Sequence, residues 1–336
     1  MTNKDNAVTL KEWANIAIAK HTRKMLKYEA GVIKDKDPED LHQMRVGMRR
    51  LRSAIAGFAI ALDLPKTVNE KNIAKIGRSL GKLRDLDVLL AALANDYRSL
   101  LPTGEKKSLD KAIKSLNKQR KHELQQVRET LNSKLYLNLK QGLHNWLEQP
   151  KYKAIGDFSI YPVLPDLLLP QISQLLLHPG WLVGVELKEG KIQFPEMLNK
   201  DAVEQLLEQE EPILHDLRKS AKRTRYNLEL FSQFYNEAYL YYVKQIEQIQ
   251  EVLGQIQDCY VLREVLEKVL KSAIAEGMPE LATLLTKTRY QKWQEWEILQ
   301  EEFLDDKTRK ELRQIIQQPI FPTNHALEPG NAFSPY

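Results

Sequence analysis

Apolar positions recur along almost the whole chain at intervals of three and four residues, the spacing that lines up one face of an α-helix. Trp13, Ile16, Ala17 and the stretch from Lys20 to Tyr28 predict a first helix over 8–31, stopped at Gly31, with a short tail over 1–7. Pro38 opens a second, with Asp37 as N-cap and Asp40 in the first turn, and the pattern ends near Asp63 before Pro65. A third helix is expected over 66–101 and a long polar one over 105–148, ahead of Pro150. Pro162, Pro165, Pro170 and Pro179 then divide the chain into short pieces. A short apolar helix fits 166–177 as a reduced counterpart of the first. Weak alternation through Trp181, Val183, Val185, Leu187, Ile192 and Phe194 about Glu189-Gly190 predicts a small β-hairpin. Helical spacing resumes over 200–234, with a kink or restart at Pro212, and continues over 237–275 and 279–317. A proline-rich tail over 319–336 is expected to be loose.

Inside this pattern lies a duplication. Leu41-His42-Gln43-Met44-Arg45-Val46-Gly47-Met48-Arg49-Arg50-Leu51-Arg52 overlies Leu214-His215-Asp216-Leu217-Arg218-Lys219-Ser220-Ala221-Lys222-Arg223-Thr224-Arg225. His42 meets His215, and Arg45, Arg49, Arg50 and Arg52 meet Arg218, Lys222, Arg223 and Arg225, an offset of 215 − 42 = 173 residues. Without a gap, Phe58 then meets Phe231, Leu80-Gly81 meets Leu253-Gly254, and Asp85 meets Asp258. So long a period describes two similar bundles rather than a solenoid. The expected fold is all-α: two tandem antiparallel four-helix bundles, a first repeat over 8–150, a divergent connection over 151–199 and a second repeat over 200–318.

At 100° per residue, His42, Arg45, Arg49 and Arg52 share an arc of roughly 80°, with Met44, Met48, Leu51 and Ile55 on the opposite, core-facing side. His215, Arg218, Lys222 and Arg225 repeat the stripe against Leu217, Ala221, Thr224 and Leu228. Neighbouring like charges on a helix repel. No acid lies inside the first stripe, and only Asp216 inside the second. One such stripe alone reads as a solvated or carboxylate-paired face; two in register point to an anionic partner. Arginine predominates, and its planar fork suits phosphate oxygens.

Composition adds limits. The 336 residues carry a net charge of only +5, so the case for an anion rests on clustering. The single cysteine, Cys259, excludes an intrachain disulfide and reads as a buried thiol. No apolar run reaches the length of a signal sequence or a membrane span, so a cytoplasmic protein without membrane partners is expected. Secondary basic candidates are Lys20, Arg23, Lys24 and Lys27 in the first helix, Arg78, Lys82, Lys219 and Arg84, and the more isolated Arg120 and Arg289. Asp85 and Asp258 are expected to hold stripe residues in place. Gly77 and Gly81, four apart, suggest a notch for close helix–helix approach.

The residues His42-x-x-Arg45-Val46-x-x-Arg49-Arg50-Leu51-Arg52 and Leu80-Gly81-x-x-Arg84-Asp85-Leu86-Asp87-Val88 resemble the CHAD domain, the conserved histidine α-helical domain. The likeness extends to the degenerate copy around His215 and Gly254/Asp258, and covers about 8–318. It implies two helical repeats about a basic central channel that binds inorganic polyphosphate, with association to polyphosphate granules or polyphosphate-metabolising enzymes and no catalysis. His42, Arg45, Arg49, Arg50, Arg52, His215, Arg218, Lys219, Lys222, Arg223 and Arg225 would line that channel, with Lys82 and Arg84 as weaker correspondences. Gln255 and Gln257 depart from the pattern, making the second side less basic. Many relatives carry the domain behind a triphosphate-tunnel catalytic domain. Its Glu-x-Glu-x-Lys motif is absent here, so a stand-alone binding module is expected.

The residues themselves leave other readings open. The stripes would also suit the backbone of RNA or DNA, although they hold no aromatic platform before Tyr226. The two histidines fit capping, phosphate contact or, at the sharp end, a phosphatase-like reaction. That reaction would need a metal and carboxylates to hold it. No metal-ligand spacing, P-loop, nucleophile elbow or dinucleotide fingerprint occurs, and neither metal nor cofactor is expected.

Overall fold

Capping residues set most helix starts. In the computed structural model, which describes residues 8–195 and 198–320, Thr9 and Glu12 form a capping box that opens α1 (Leu10–Lys34). Asp37 accepts from the Glu39 N–H at 2.8 Å and Pro38 begins α2 (Pro38–Gly57). Asn69 caps α3 (Glu70–Ala92), which widens into a π-helical turn (Leu93–Tyr97) and then tightens into a 3₁₀ turn (Arg98–Leu100). α4 spans Thr103–Leu131 and α5 Lys134–Glu148. The connection holds α6 (Leu164–Leu176) and the hairpin β1 (Glu186–Lys188) and β2 (Lys191–Gln193), where Leu187 faces Ile192. Its turn residues Glu189 and Gly190 both adopt positive φ, at 53° and 75°. The second repeat comprises α7 (Lys200–Gln209), α8 (Glu211–Leu230), α9 (Glu237–Leu270), the short α10 (Ile274–Gly277), α11 (Pro279–Leu304) and α12 (Asp306–Ile316).

The fold is all-α, with the hairpin as its one small sheet among the described residues. Several boundaries differ from expectation. α1 runs past Gly31 to Lys34 and is ended by Asp35 in a left-handed conformation, φ 53°. α2 stops at Gly57 rather than near Asp63, and α9 at Leu270. The stretch expected as one helix over 105–148 is two, because Ser133 accepts from the Tyr136 N–H and starts a new helix. The helix expected over 279–317 breaks in the same way at Asp305, which accepts from the Thr308 N–H at 2.9 Å. The two breaks lie 305 − 133 = 172 residues apart, one short of the repeat offset. At Pro212 the chain restarts: α7 ends and α8 begins. The tail over 1–7 lies outside the described residues. Of the tail over 319–336 only Pro319 and Ile320 lie inside them, with the Ile320 N–H donating to the Phe234 carbonyl at 2.7 Å.

α1 packs along α2 so closely that a Cβ on Gly47 would come within 2.7 Å of the Met25 backbone nitrogen. α6 packs on α8, the helix equivalent to α2, over a shorter length than α1 packs on α2. α2 and α8 meet where their C-terminal residues Phe58 and Phe231, equivalent in the two repeats, stack edge to face with centroids 5.3 Å apart. The repeats share their apolar interior. A main cluster runs from Leu10 to Ile316, and a smaller one joins Leu93, Leu101 and Leu109 to Leu262, Leu266 and Leu281. Glu105 ties the same two halves, accepting from the Glu280 and Leu281 N–H groups at the start of α11 at 2.9 and 3.1 Å.

Arg120 and Arg289, both candidates for anion binding, serve the scaffold instead. Arg120 donates to both Asp35 oxygens at 2.7 and 2.8 Å and to Asp87 at 2.6 Å, joining α4 to the end of α1 and to α3. Arg289 is 2% exposed and paired with Glu204 of α7. Removing Arg120 strands two largely shielded carboxylates. Arg120→Ala should therefore lower the unfolding free energy by about 3 kcal/mol, read as a shifted urea midpoint at unchanged slope.

A cationic groove between the two repeats

The apolar faces of α2 and α8 are buried as their spacing requires: Met44, Met48, Leu51 and Ile55 in one, Leu217, Ala221, Thr224 and Leu228 in the other. Their polar faces come together. Arg45 and Arg49 of α2, Arg84 of α3, and Arg218 and Lys222 of α8 lie within electrostatic reach of one another. A cavity of about 520 Å³ lies beside Ile55 toward Asn69, and one of about 510 Å³ is lined by Arg45, Arg49, Arg52, Arg78, Lys82 and Asp85. Among the described residues, none of Arg45, Arg49, Arg84, Arg218 and Lys222 has a carboxylate within ion-pair distance.

The glycines beside the groove serve its arginines. Arg45 Nη1 donates to the Gly77 carbonyl at 3.0 Å and lies against Gly81, where a Cβ would meet it at 2.7 Å. Arg218 lies on Gly254 in the same way, its Nε 3.0 Å from a Cβ built there. The expected notch thus seats a guanidinium rather than a helix, and a Cβ at Gly77 would meet nothing within 4 Å.

Asp85 and Asp258, equivalent in the repeats, are the acids of the groove. Burial among protein atoms pushes both carboxyls up from their usual range, although solvent still reaches them. Arg45, Lys222, Arg218 and Arg84 oppose that shift at Asp85; Arg218 and Lys222 oppose it at Asp258, while Asp85 adds to it. Neither acid forms a direct ion pair among the described residues, so they offset charge at a distance rather than pinning a side chain. Lys222 feels the converse: burial, then Arg49, Arg218, Arg45 and Arg225, bring its pKa down to about 8.

The histidines are half-buried at the flanks. Burial and then Arg84 lower His42, with Glu39 opposing; burial and then Lys219 lower His215, with Glu211 and a hydrogen bond to Gln257 opposing. Both are therefore largely neutral at pH 7. Gln257 occupies the place of Arg84 in the second repeat. At this position one copy sets a cation beside its histidine, and the other a neutral amide.

The remaining candidates divide. Arg225 is taken out of the groove: it is buried and paired with Glu247, with Glu229 at 3.5 Å. Arg52 lies 3.5 Å from Glu70 and Arg50 3.5 Å from Glu229. Lys219 pairs with Asp216 at 2.9 Å. Lys82, Arg78 and Arg223 are exposed. Lys24 lies near His42 and Arg50, whereas Arg23 and Lys27 line a different cavity, shared with Lys140 and Tyr152 of the α5 side. Tyr226, which the sequence marks only as the first aromatic past the stripe, is the residue whose role went unread. It is 7% exposed, and both Arg49 and Arg225 lie over its ring, with guanidinium carbons 4.5 and 4.8 Å from the centroid. Its equivalent is Ser53, so the repeat gave no hint of it.

Among the described residues no three His, Cys, Asp or Glu side chains gather as metal ligands, and no helix is long and apolar enough to cross a membrane. An all-helical protein whose two related halves present one cationic groove is the class that this fold and site define. The chain belongs to the CHAD domain family, whose pattern matches residues 16–267. The crystal structure of the CHAD domain from the plant Ricinus communis is similar at 24% identity and a TM-score of 0.57, over 93% of this chain and 94% of that one. PptA from Streptomyces chartreusis is similar at 13% identity and a TM-score of 0.60, over 88% and 99%. At these identities the likeness speaks for the fold. No curated protein matches the chain.

The seating of the arginines predicts a contrast between neighbouring glycines. Gly77→Ala should raise stability by up to about 1 kcal/mol through helix propensity alone. Gly81→Ala should forgo that gain, because its methyl displaces Arg45 from the Gly77 carbonyl. Urea denaturation of the two variants side by side measures the difference.

Proposed function

We propose that this protein binds inorganic polyphosphate along the groove between α2 and α8. What supports the reading is the set Arg45, Arg49, Arg84, Arg218 and Lys222, crowded together without direct carboxylate partners among the described residues. Such a set carries a standing electrostatic cost that a chain of phosphates relieves. Arginine forks can take non-bridging oxygens two at a time, while His42 and His215 donate from neutral rings at the flanks. A thin, flexible polyanion without bases suits a groove whose cations come from three helices. The family membership points to the same ligand class. In this reading the protein is a binding module, not an enzyme, and works in the cytoplasm on polyphosphate granules or beside polyphosphate-metabolising enzymes. Nucleic acid fits less well, because Tyr226 is covered by two arginines and offers no ring face to a base.

Charge reversal tests the groove. Arg49→Glu and Lys222→Glu should each weaken binding of long-chain polyphosphate by roughly 1–3 kcal/mol, and together abolish it at moderate salt. Wild-type affinity should fall steeply with ionic strength, and double-stranded DNA should compete poorly. Persistence of binding in the double variant would remove the groove from consideration. Equal displacement by DNA would favour the nucleic-acid reading, and Mg²⁺-dependent phosphate release lost in His42→Ala would favour an enzyme.

Lys222 adds a pH dependence. Its pKa of about 8 in the free protein rises when phosphate surrounds it, so binding takes up protons near and above neutrality. The cation dominates below that pKa and is lost above it. Affinity should therefore fall about tenfold between pH 7 and pH 9.5. His42 and His215, held below their usual range in the free protein, are already largely neutral where this window begins. Lys222→Arg should flatten the profile, as measured by calorimetry in buffers of different ionisation enthalpy.

A further inference from the structure

A second cavity, of about 310 Å³, opens on the α1 side of α2. Arg45, Arg49 and Arg52 line the cavity toward α3, whereas Arg50 and Ser53 line this one with Lys20 and His21 of α1. Its apolar wall is formed by Trp13, Phe58 and Tyr226. The contact of Arg49 with the Tyr226 ring stands between the two spaces, since Arg49 lines the groove and Tyr226 lines the cavity.

His21 has no evident task in the scaffold. It is 7% exposed, and its Nδ1 is buried with no hydrogen-bond partner. Burial, then Lys20, Arg50 and Lys24, hold its pKa at about 4, so the ring is neutral and able to give or take a hydrogen bond. Arg50 is only loosely answered, by Glu229 at 3.5 Å, and Glu229 is shared with Arg225. Lys20 is exposed at the rim. The cavity thus combines cations at its mouth, with Glu229 as the one acid in its lining, an aromatic wall, and unspent hydrogen-bonding capacity. Its volume sits at the lower end of the roughly 300–1,000 Å³ typical of small-molecule sites.

We propose that this cavity is a separate site for a small organic phosphate with a planar apolar body, of the size of a nucleoside monophosphate. Lys20 and Arg50 take the phosphate. Trp13 and Phe58 border the planar body, and Tyr226, its ring held under Arg49 and Arg225, closes the wall without stacking on it. His21, with the Ser53 hydroxyl, meets its polar edge. A polymer is excluded by the volume, and a bare inorganic anion would leave the aromatic wall unused.

Calorimetry on the full chain with AMP, adenosine and inorganic phosphate tests this, independently of whether polyphosphate binds. AMP should bind saturably and at least about tenfold more tightly than either fragment. Lys20→Glu, an exposed change that leaves the core intact, should weaken AMP about tenfold, and Ser53→Leu, which fills the cavity, should abolish its binding. Arg84→Glu in the groove should alter it less than about twofold. The proposal is overturned if AMP does not bind, if adenosine or phosphate alone binds as tightly, or if Arg84→Glu weakens AMP as much as Lys20→Glu does.

Discussion

The structure is organised around a repulsion that it does not relieve. Five cations from α2, α3 and α8 share one groove, and each neighbouring pair costs on the order of 1 kcal/mol at the effective dielectric of a protein surface. What holds them there is the apolar packing behind them. Leu51 and Leu217 are fully buried at the backs of the two stripe helices, and Phe58 against Phe231 fixes where those helices meet. The helices cannot rotate to spread their charges without exposing that core. Asp85 and Asp258 temper the field without quenching it, since neither forms a direct ion pair among the described residues.

Duplication explains how such a groove arises and where it departs from symmetry. Arg45 on Gly81 is repeated by Arg218 on Gly254, and Asp85 by Asp258. Two substitutions and one change of pairing break the pattern. Gln257 replaces Arg84 and sets a neutral amide near His215. Tyr226 replaces Ser53 and draws Arg49 and Arg225 over its ring. Arg225, the equivalent of Arg52, is buried and neutralised by Glu247. The first repeat therefore supplies more of the free charge and the second more of the neutral contacts.

The arginines outside the groove show why charge alone is a poor guide. Arg120 and Arg289 carry the same charge as Arg45, yet each has a carboxylate from a distant part of the chain to answer it. Asp35 reaches Arg120 only because α1 ends one turn later than its glycine suggested, and Glu204 reaches Arg289 from a helix about 85 residues away. Local sequence around either arginine carries no trace of its partner.

Periodicity determined that the chain is helical and which face of α2 and of α8 is apolar, because these follow from spacing along a single helix, and the match of residues at a fixed offset determined that the two helices are related. The hairpin turn at Glu189-Gly190 and the restart at Pro212 were legible for the same reason: each is local backbone chemistry. The breaks at Ser133 and Asp305 carried weak cues, since a serine or an aspartate inside a polar helix is as readily solvated as it is a cap. Which cations stay free, which glycines seat an arginine, and that His21 and Tyr226 border a cavity were decided by tertiary structure. Each depends on the approach of side chains far apart in sequence, and one residue's neighbours along the chain do not contain that information.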